Sequence, residues 1–300
     1  MRLAIWPSAR QPYAAIAEVA RHADETGWDG LYLADHFMGA VRADEPNLEV
    51  TACLPALAAS THHLRIGPLV LGNCYRHPAV VANWAASLDH VSGGRAVLGL
   101  GAGWQVNEHL SYGLEFPSAG ERVDALDEAC RVVRGLLDEP EVTMTGYRYV
   151  LDGARCDPKP LQPHLPLLVG GHGDRMLALV ARRADEWNLW AGPDLLRRRS
   201  QVLDRACERL DRDPASVLRS AQAAVCITDD RSEAARYRES TPRPVAFAGT
   251  AEEFAAFAFE MAVAGADEVV VPDADLGVGN ERLDHMDAIL AAVREALPIA

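Results

Sequence analysis

The 300-residue sequence lacks several features that would place it in a special class of protein. It has no Cys-x-x-Cys pair, and its six widely spaced cysteines argue against a disulfide framework or a zinc site. It has no run of more than three basic residues, and 43 acidic residues outnumber 29 basic ones, which argues against nucleic-acid binding. No apolar stretch is long enough for a membrane span or a signal peptide. We therefore expect a soluble, cytoplasmic protein with no metal site.

What the sequence has instead is a regular alternation of short apolar runs and amphipathic segments. The runs predict strands at 2–6, 30–34, 64–71, 95–99, 165–169, 186–190, 220–227 and 268–272. The amphipathic segments predict helices at 13–26, 48–60, 78–90, 121–138, 174–184, 193–210, 231–240, 250–264 and 281–297. Such an alternation implies parallel strands that are joined by right-handed crossovers.

Eight strands in a chain of this length predict a closed (β/α)8 barrel, as a single domain over residues 1–300. An open, doubly wound sheet is the competing α/β architecture. Residues 142–151 break the alternation and predict a hairpin around Thr145–Gly146, inserted between the fourth and fifth strands. The segment 241–247 is predicted to be a loop.

The stretch VLGLGAGWQVNE follows the fourth predicted strand and has the general look of a dinucleotide-binding loop. A Rossmann fingerprint, G-x-G-x-x-G, follows the first strand and opens a helix. Here Trp104 stands where the third glycine would be, and no helix with an apolar face is expected directly after the loop. The sequence therefore disfavours an NAD-dependent Rossmann enzyme. Gly99, Gly101 and Gly103 serve either a tight strand exit or the close approach of the backbone to a planar ligand.

A second glycine cluster, LLVGGHGD at 167–174, has the order strand, glycines, helix N-terminus. Free backbone N–H groups at such a terminus can bind a phosphate, as they do in the later βα loops of barrels. The alternative is an ordinary turn, in which Asp174 is a favourable acid in the first turn of the helix. The phosphate interpretation requires a phosphorylated ligand.

Polar side chains follow three of the predicted strands at the same end of the barrel. Asp35 and His36 follow the second strand. The segment 75–78 follows the third strand, and Asn107 and Glu108 follow the fourth. The carboxyl ends of barrel strands carry the active site. A lone histidine is most often structural or exposed, but a histidine beside an acid at this position is a candidate general acid or base.

Together these segments resemble the luciferase-like superfamily of flavin- and deazaflavin-dependent oxidoreductases. The matching stretches lie in order between about Gly27 and Asn188, and they are GWDGLYLADHF, LRIGPLVLGNCYRHPAVVANWAASLDHVSGGR, LGLGAGWQVNEHLSYGLEFPS, GERVDALDEACRVV and PLLVGGHGDRMLALVARRADEWN. The remaining third of the chain matches only in pattern. The GNxYRHP and GAGW motifs are similar to those of the branch that uses the deazaflavin coenzyme F420.

The resemblance implies a luciferase-like (β/α)8 TIM barrel with a flavin-like ring in its mouth. It implies a non-prolyl cis peptide at Leu69–Val70, which would press against that ring. It makes Asp35 and His36 the catalytic residues, with His36 moving a proton at the substrate heteroatom. The residues that it assigns to the cofactor are Leu69, Val70, Gly101, Ala102 and Asn107 at the ring, and Gly170, Gly171, His172 and Gly173 at the phosphate.

The implied chemistry is hydride transfer between F420 and a small organic substrate, with the protein orienting the cofactor. The sequence departs from the sugar-phosphate dehydrogenases of the family, because Trp104 stands where they carry a catalytic glutamate. Val41-Arg42-Ala43 stands where they carry a tryptophan. We therefore predict an apolar or conjugated substrate, with Trp104 as a wall of its pocket and Arg42 at the border. Ordinary packing is the alternative for Trp104.

Two alternatives to an F420-dependent oxidoreductase stay open. An FMN-dependent monooxygenase, supplied by a separate flavin reductase, shares the fold and is poorly separated by sequence. A non-catalytic relative is disfavoured because Asp35, His36 and Asn107 are all present. The resemblance also implies a homodimer, since the apolar residues of the helix at 78–90 serve either the core or an interface.

Overall fold

The computed structural model describes residues 1–40 and 42–297 of the chain. The strands are β1 (Arg2–Trp6), β2 (Gly30–Leu33), β3 (Arg65–Pro68), β4 (Leu71–Gly72), β5 (Leu98–Gly101), β6 (Val142–Thr145), β7 (Val150–Ala154), β8 (Leu167–Gly170), β9 (Glu186–Trp190), β10 (Leu218–Gln222), β11 (Ala224–Ile227), β12 (Ala246–Gly249) and β13 (Glu268–Pro272). The α-helices are α1 (Tyr13–Thr26), α2 (Val50–Ala59), α3 (Pro78–Ser92), α4 (Val106–Tyr112), α5 (Ala119–Asp138), α6 (Asp174–Arg183), α7 (Pro193–Glu208), α8 (Arg231–Ser240), α9 (Ala251–Val263) and α10 (Asn280–Ala296).

Nine of these strands form one parallel sheet, in the order β3-β2-β1-β13-β10-β9-β8-β5-β4. The two outermost members, β3 and β4, are the halves of one predicted strand, and the residues between them are Leu69 and Val70. The gap is bridged because Ile66 pairs with Ala96 just before β5, while β4 pairs with β5 itself. The sheet therefore closes on itself. The predicted (β/α)8 barrel is confirmed, and the open doubly wound sheet is wrong.

The barrel is filled from within and covered from outside. Six inward side chains make a small inner cluster: Ala4, Tyr32, Leu69, Val97, Leu168 and Val270. A larger cluster lies between the sheet and the helices, and α1 contributes Ile16, Val19, Ala20 and Ala23 to it at helical spacing. Among the described residues, no helix combines the length and the apolar content that crossing a membrane needs.

Charged side chains close the amino end of the barrel. The carboxylate of Glu268 is fully buried and accepts a hydrogen bond from the Tyr32 hydroxyl at 3.2 Å. The guanidinium of Arg65 lies 3.7 Å from Glu268 and also donates to Glu186. Buried charges of this kind persist only when they are paired, as these are. These paired groups occupy the amino end of the barrel, so we expect a ligand to approach from the carboxyl ends of the strands.

The structure departs from the predicted elements at several places, and the predicted strand at 220–227, for example, is divided into β10 and β11. The fourth barrel strand is β5, which begins at Leu98 rather than at residue 95. The glycine loop is followed by the short helix α4, which we did not expect; it ends at Gly113, whose φ of 67° suits glycine. The segment 241–247 is not wholly loop, because β12 pairs in parallel with β11 outside the barrel.

The predicted hairpin insertion is confirmed between β5 and β8. Strands β6 and β7 pair in antiparallel fashion, and the turn is closed by a hydrogen bond from Gly146 N to Tyr149 O of 2.9 Å. The turn therefore lies slightly later than Thr145–Gly146. The hairpin reaches the carboxyl end of the barrel, where the Tyr149 hydroxyl accepts a hydrogen bond from Asn73 at 3.1 Å.

The Leu69–Val70 peptide bond is cis, as the resemblance predicted. The Val70 side chain lies over three glycines of the neighbouring strands: Gly99, Gly101 and Gly170. A Cβ atom on Gly101 would lie 2.6 Å from Val70 Cγ2, and one on Gly170 would lie 3.2 Å from both methyl carbons. These glycines therefore make room for Val70. Gly99 and Gly101 have a packing reason that the sequence alone did not show.

Replacing Gly101 with alanine should destabilise the fold because the added methyl group overlaps Val70. We expect Gly101→Ala to lower the free energy of unfolding by about 1–3 kcal/mol, the usual cost of overpacking a core. Gly173→Ala is the matched control, since nothing lies within 4 Å of its added Cβ and its φ is -68°. Urea unfolding followed by circular dichroism gives both values. Equal stability of the two variants would contradict the packing explanation.

Candidate active site

The carboxyl ends of three strands bring the candidate catalytic side chains together. His36 follows β2, Tyr75 follows β4, and Glu108 lies in α4 after β5. The Glu108 carboxylate is fully buried and lies 2.7 Å from His36 Nδ1. It also accepts hydrogen bonds from the Tyr75 hydroxyl at 2.7 Å and from Phe37 N at 2.5 Å. One buried carboxylate thus joins three loops.

These hydrogen bonds set the protonation state of Glu108. Burial raises the pKa of its carboxyl, but the donors His36, Phe37 N and Tyr75 more than offset burial and hold the pKa below its ordinary value. Burial and the neighbouring Glu108 raise the pKa of the Tyr75 hydroxyl, which therefore keeps its proton. An ionised carboxylate only accepts hydrogen bonds, so Nδ1 of His36 carries the hydrogen toward Glu108.

The other nitrogen of His36 is therefore available for chemistry. In the neutral ring, Nε2 is a base, and in the protonated ring it is an acid. The His36 side chain is 24% exposed, so the ring is partly open to the mouth of the barrel. Trp104 stands edge-on to it, with ring centroids 5.4 Å apart and planes at 80°. The Trp104 side chain is exposed, which leaves its indole available as an apolar wall beside His36.

Asp35 is bound to protein groups on both of its oxygens. Arg76 donates to the two oxygens at 2.7 and 3.0 Å, and Gly72 N donates at 2.9 Å. Burial raises the pKa of Asp35, although the Arg76 guanidinium opposes that rise. Arg76 also donates to Glu49 at 2.5 Å. The structure thus shows Asp35 positioning Arg76, and its predicted role at a cofactor stays a prediction.

Two amide side chains of the segment after β5 fasten the loop after β2. Gln105 is buried, and its Nε2 donates to Met38 O at 2.9 Å. Asn107 Nδ2 donates to Gly39 O at 2.9 Å, while its oxygen accepts from Glu108 N at 3.0 Å. Asn107 is therefore placed beneath the loop, and its predicted contact with a cofactor ring stays a prediction. Ala102 leaves β5 beside it and is half-buried.

The glycine cluster after β8 leads into the first turn of α6, as predicted. Gly173 is the residue before the helix, has no capping side chain and is exposed together with His172. Gly171 has a φ of 134°, which suits glycine, and its N–H is used by Asn188 O. The one acid of the first turn, Asp174, is paired with Arg199 at 2.5 Å. The exposed N–H groups of this turn are suited to binding an anion.

Arg42 lies apart from this group of side chains. Its guanidinium lies 3.2 Å from Asp44, and both side chains are mostly exposed. The structure does not bring Arg42 to His36 or Trp104 among the described contacts, so its place at the pocket border stays a prediction. Val41, part of the same departure from the sugar-phosphate dehydrogenases, lies outside the described residues.

The sequence placed Glu108, Tyr75 and Arg76 at the active end of the barrel without giving them a role, and it did not point to Gln105. Their positions gave a partial signal, because three of them belong to segments that follow strands at the same end of the barrel. Nothing in the sequence showed which of them meet, since His36 and Glu108 are 72 residues apart. The sequence did not show that the Glu108 carboxylate is buried and that it joins these segments.

Comparison with known proteins bears on the family and the fold of the chain. The profile described as luciferase-like monooxygenase matches residues 1–299. The F420-dependent glucose-6-phosphate dehydrogenase of Kineococcus radiotolerans is 34% identical over 178 residues, which are 59% of this chain and 52% of that protein. The 5,10-methylenetetrahydromethanopterin reductase of Methanolobus tindarius is 28% identical over 225 residues, which are 74% of this chain and 64% of that protein.

The match to the dehydrogenase is partial: the chain spans about half the length of the F420-dependent glucose-6-phosphate dehydrogenases it matches. Among solved structures, an F420-dependent secondary alcohol dehydrogenase in complex with an F420–acetone adduct superposes with a TM-score of 0.87. The sequences are 22% identical, and the superposition covers 98% of this chain and 100% of that one. This likeness shows the fold.

Replacing Glu108 with glutamine should destabilise the protein most at neutral pH. The unfolded carboxyl titrates near 4.5 and the folded one below it, so the ionised group stabilises the fold above pH 4.5. That stability is lost as the pH falls through the folded pKa. We expect Glu108→Gln to cost about 1–3 kcal/mol at pH 7. Below about pH 4.5 the difference in free energy of unfolding between the variant and the wild type should become smaller, because a protonated carboxyl resembles an amide.

The control for this measurement is Glu239→Gln, at an exposed position of α8. It should leave the free energy of unfolding within about 0.5 kcal/mol of the wild type at both pH values. Urea unfolding at pH 7 and pH 4 measures all three proteins. If the difference in free energy of unfolding between Glu108→Gln and the wild type stays constant or grows from pH 7 to pH 4, the carboxylate is not ionised in the folded state.

Proposed function

The chain belongs to the luciferase-like monooxygenase family, and from that premise we propose that it is an F420-dependent oxidoreductase. Its substrate would be a small organic molecule that gains or loses a hydride at a carbon next to a heteroatom. The observation that carries this proposal is the His36–Glu108 pair, held at 2.7 Å at the carboxyl ends of the barrel strands. The relatives that are named F420-dependent glucose-6-phosphate dehydrogenase support the choice of cofactor.

The residues present fit a tricyclic cofactor with a phosphorylated tail. The first turn of α6 offers exposed N–H groups without a capping side chain, and the charge of Asp174 is offset by Arg199. Beside Val70 the glycines of the neighbouring strands are covered by its side chain, so a flat ring at this point would lie against Val70. Bound F420 would supply the hydride chemistry. Leu69, Val70, Gly101 and Ala102 would lie at the ring in this proposal.

The protein groups of the site have separate tasks. His36 Nε2 would give a proton to the substrate heteroatom, or take one from it, according to the direction of the reaction. Glu108 holds the imidazole in the tautomer that leaves Nε2 free, and it stabilises the ring when it is protonated. Tyr75 holds Glu108 from the other side. These tasks parallel those of a histidine that is oriented by a buried acid in other enzymes.

Trp104 supports an apolar or conjugated substrate. Its indole stands next to His36 and is exposed, so a substrate at Nε2 would lie against it. An aromatic wall favours apolar and flat molecules and offers one N–H donor. Trp104 stands where the sugar-phosphate dehydrogenases of the family carry a catalytic glutamate, which is why we do not extend the substrate of the Kineococcus enzyme to this chain.

The cofactor is tested by titrating the purified protein with F420 and, separately, with FMN. We expect saturable binding of F420, followed by quenching of tryptophan fluorescence because Trp104 stands at the mouth. Binding of FMN should be weaker by about tenfold or more, which corresponds to about 1.4 kcal/mol. Tight binding of FMN without binding of F420 would overturn the proposal and favour the FMN-dependent monooxygenase.

Replacing His36 with alanine should remove the proton transfer and leave cofactor binding in place. We expect kcat with F420 and an aldehyde, ketone or enone substrate to fall by about 10² or more. The dissociation constant of F420 should stay within about threefold of the wild type, less than 1 kcal/mol. His22→Ala is the control, since that histidine lies on α1 and contacts Asp287. Unchanged kcat in His36→Ala would falsify the catalytic assignment.

A further inference from the structure

Two tryptophans, Trp6 and Trp190, meet inside the mouth of the barrel. They are the last residues of β1 and β9, at the carboxyl end of the sheet. Side chains alternate between the two faces of a strand, so Trp6 points inward like Ala4 and packs against the inner cluster. Trp187 and Leu189 belong to the larger cluster outside the sheet, which places Trp190 on the inner face of β9. The centroids of the two tryptophan rings are 5.6 Å apart.

This contact joins strands that are not neighbours in the barrel. With β3 and β4 counted as one strand, the order around the barrel is β1, β2, β3/β4, β5, β8, β9, β10 and β13. Both β10 and β13 therefore lie between β9 and β1, and the two rings bridge the space above them. The uncovered half of the mouth is bounded by β2, β3/β4, β5 and β8. All the candidate site residues described above belong to these strands or to the loops that follow them.

The Trp190 indole is held from more than one side. Its N–H lies 3.0 Å from the side-chain amide of Gln222, whose oxygen accepts that hydrogen when the amide nitrogen faces Leu189 O. Gln222 is itself buried, as is Asn188 beside it. The Arg243 guanidinium stacks over the Trp190 ring, 5.1 Å from its centre. Contacts on its edge and on its face restrict the rotamer of Trp190, so the ring is a rigid boundary.

Trp6 and Trp190 together form a tryptophan wall, part of whose surface is open to the mouth. Both side chains are half-buried. Trp6 packs against the same inner cluster as Val70, so these two side chains share the base of the mouth. Because Gln222 uses the indole N–H of Trp190, that ring presents its apolar atoms to a ligand. The tryptophan wall is therefore suited to a flat, apolar molecule.

The tryptophan wall faces the side of the mouth that carries His36. In the order given above, β9 is four strands away from β2 in both directions, so the ends of these two strands lie diametrically opposite each other. His36 follows β2, and Trp190 ends β9. A substrate whose heteroatom lies at His36 Nε2 therefore extends across the mouth toward Trp190. Because Trp190 is rigidly held, it ends the space into which such a substrate can extend.

We propose that Trp190, supported by Trp6, is the specificity-determining wall of the substrate pocket and limits the length of the substrate. The substrate class is then a flat, apolar aldehyde or ketone that fits between His36 and Trp190. Trp104 borders the same substrate beside His36, while the tryptophan wall meets its far end. This inference rests on the proposed function, since it takes His36 as the place where the heteroatom lies.

The test is a series of flat aldehydes of increasing length: benzaldehyde, 2-naphthaldehyde and 2-anthraldehyde. We expect the kcat/KM of the wild type with reduced F420 to fall by about tenfold or more at one step of this series, the discrimination that a pocket of fixed size achieves. In Trp190→Ala the fall should move to a longer aldehyde or disappear, because the wall has been removed. Equilibrium dialysis of the same aldehydes against the protein without cofactor measures the length limit independently of turnover.

Trp190→Phe guards against a variant that fails to fold. Phenylalanine keeps one aromatic ring of the wall and is shorter than tryptophan, so its length limit should lie between those of the wild type and Trp190→Ala. Trp84→Phe is the matched control. Trp84 lies on α3, outside the barrel, where its indole donates to Thr51 O at 3.2 Å. This control should keep the length limit of the wild type.

The two measurements separate the proposed wall from the proposed function. The same dependence on aldehyde length in the wild type and Trp190→Ala overturns the wall, and so does a wild type without any length limit. If reduced F420 supports no turnover, but dialysis shows a length limit that Trp190→Ala loses, the proposed function is wrong and the wall is confirmed. If no aldehyde binds to or reacts with either protein, the wall is wrong as well.

Discussion

The geometry of the open end of the barrel depends on one buried charge, the carboxylate of Glu108. An ionised carboxylate that is taken out of water is costly unless donors replace its hydration. The donors come from His36 and Phe37 after β2 and from Tyr75 after β4. Because the helix that carries Glu108 follows β5, the need to satisfy one group fixes three loops relative to each other. The tautomer of His36 is a consequence of the same requirement.

A second charge network reinforces the first through the same loops. Asp35 precedes His36 in the chain, and Arg76 follows Tyr75, so each loop contributes one member to each network. The Asp35–Arg76 pair is bidentate, which is the geometry that best defines the relative orientation of two groups. The Arg76 guanidinium then reaches Glu49 at the start of α2. Loss of either network would loosen the loops that the other one also holds.

The sequence predicts the repetitive part of this fold well and the contacts of the site poorly. The strands Arg2–Trp6, Glu186–Trp190 and Glu268–Pro272 are predicted to the residue, because buried parallel strands are short apolar runs with clear stops. The start of β5 is misplaced, since Ala96 and Val97 are as apolar as the strand itself. The short helix α4 is missed because a single turn or two has no apolar periodicity to detect. Pairings such as His36 with Glu108 depend on how strands are ordered in the barrel, which the local pattern does not contain.

The glycines after the fourth predicted strand also show what a sequence pattern leaves undetermined. The stretch VLGLGAGW contains three glycines, for which the sequence leaves two explanations open: a tight strand exit and the approach of a ligand. In the structure, Gly99 leaves room for Pro68 O and Val70, and Gly101 leaves room for Val70, which lies between β3 and β4. Gly103 has a φ of 77° and forms the strand exit. A glycine can therefore be required by a side chain of the protein, by a backbone angle or by a ligand. Only the neighbouring atoms distinguish these reasons, and for Gly101 the neighbour is Val70 at 2.6 Å from the missing Cβ. A planar ring at this place would therefore contact the Val70 side chain. The glycines on the other side of Val70 provide the space that this side chain occupies.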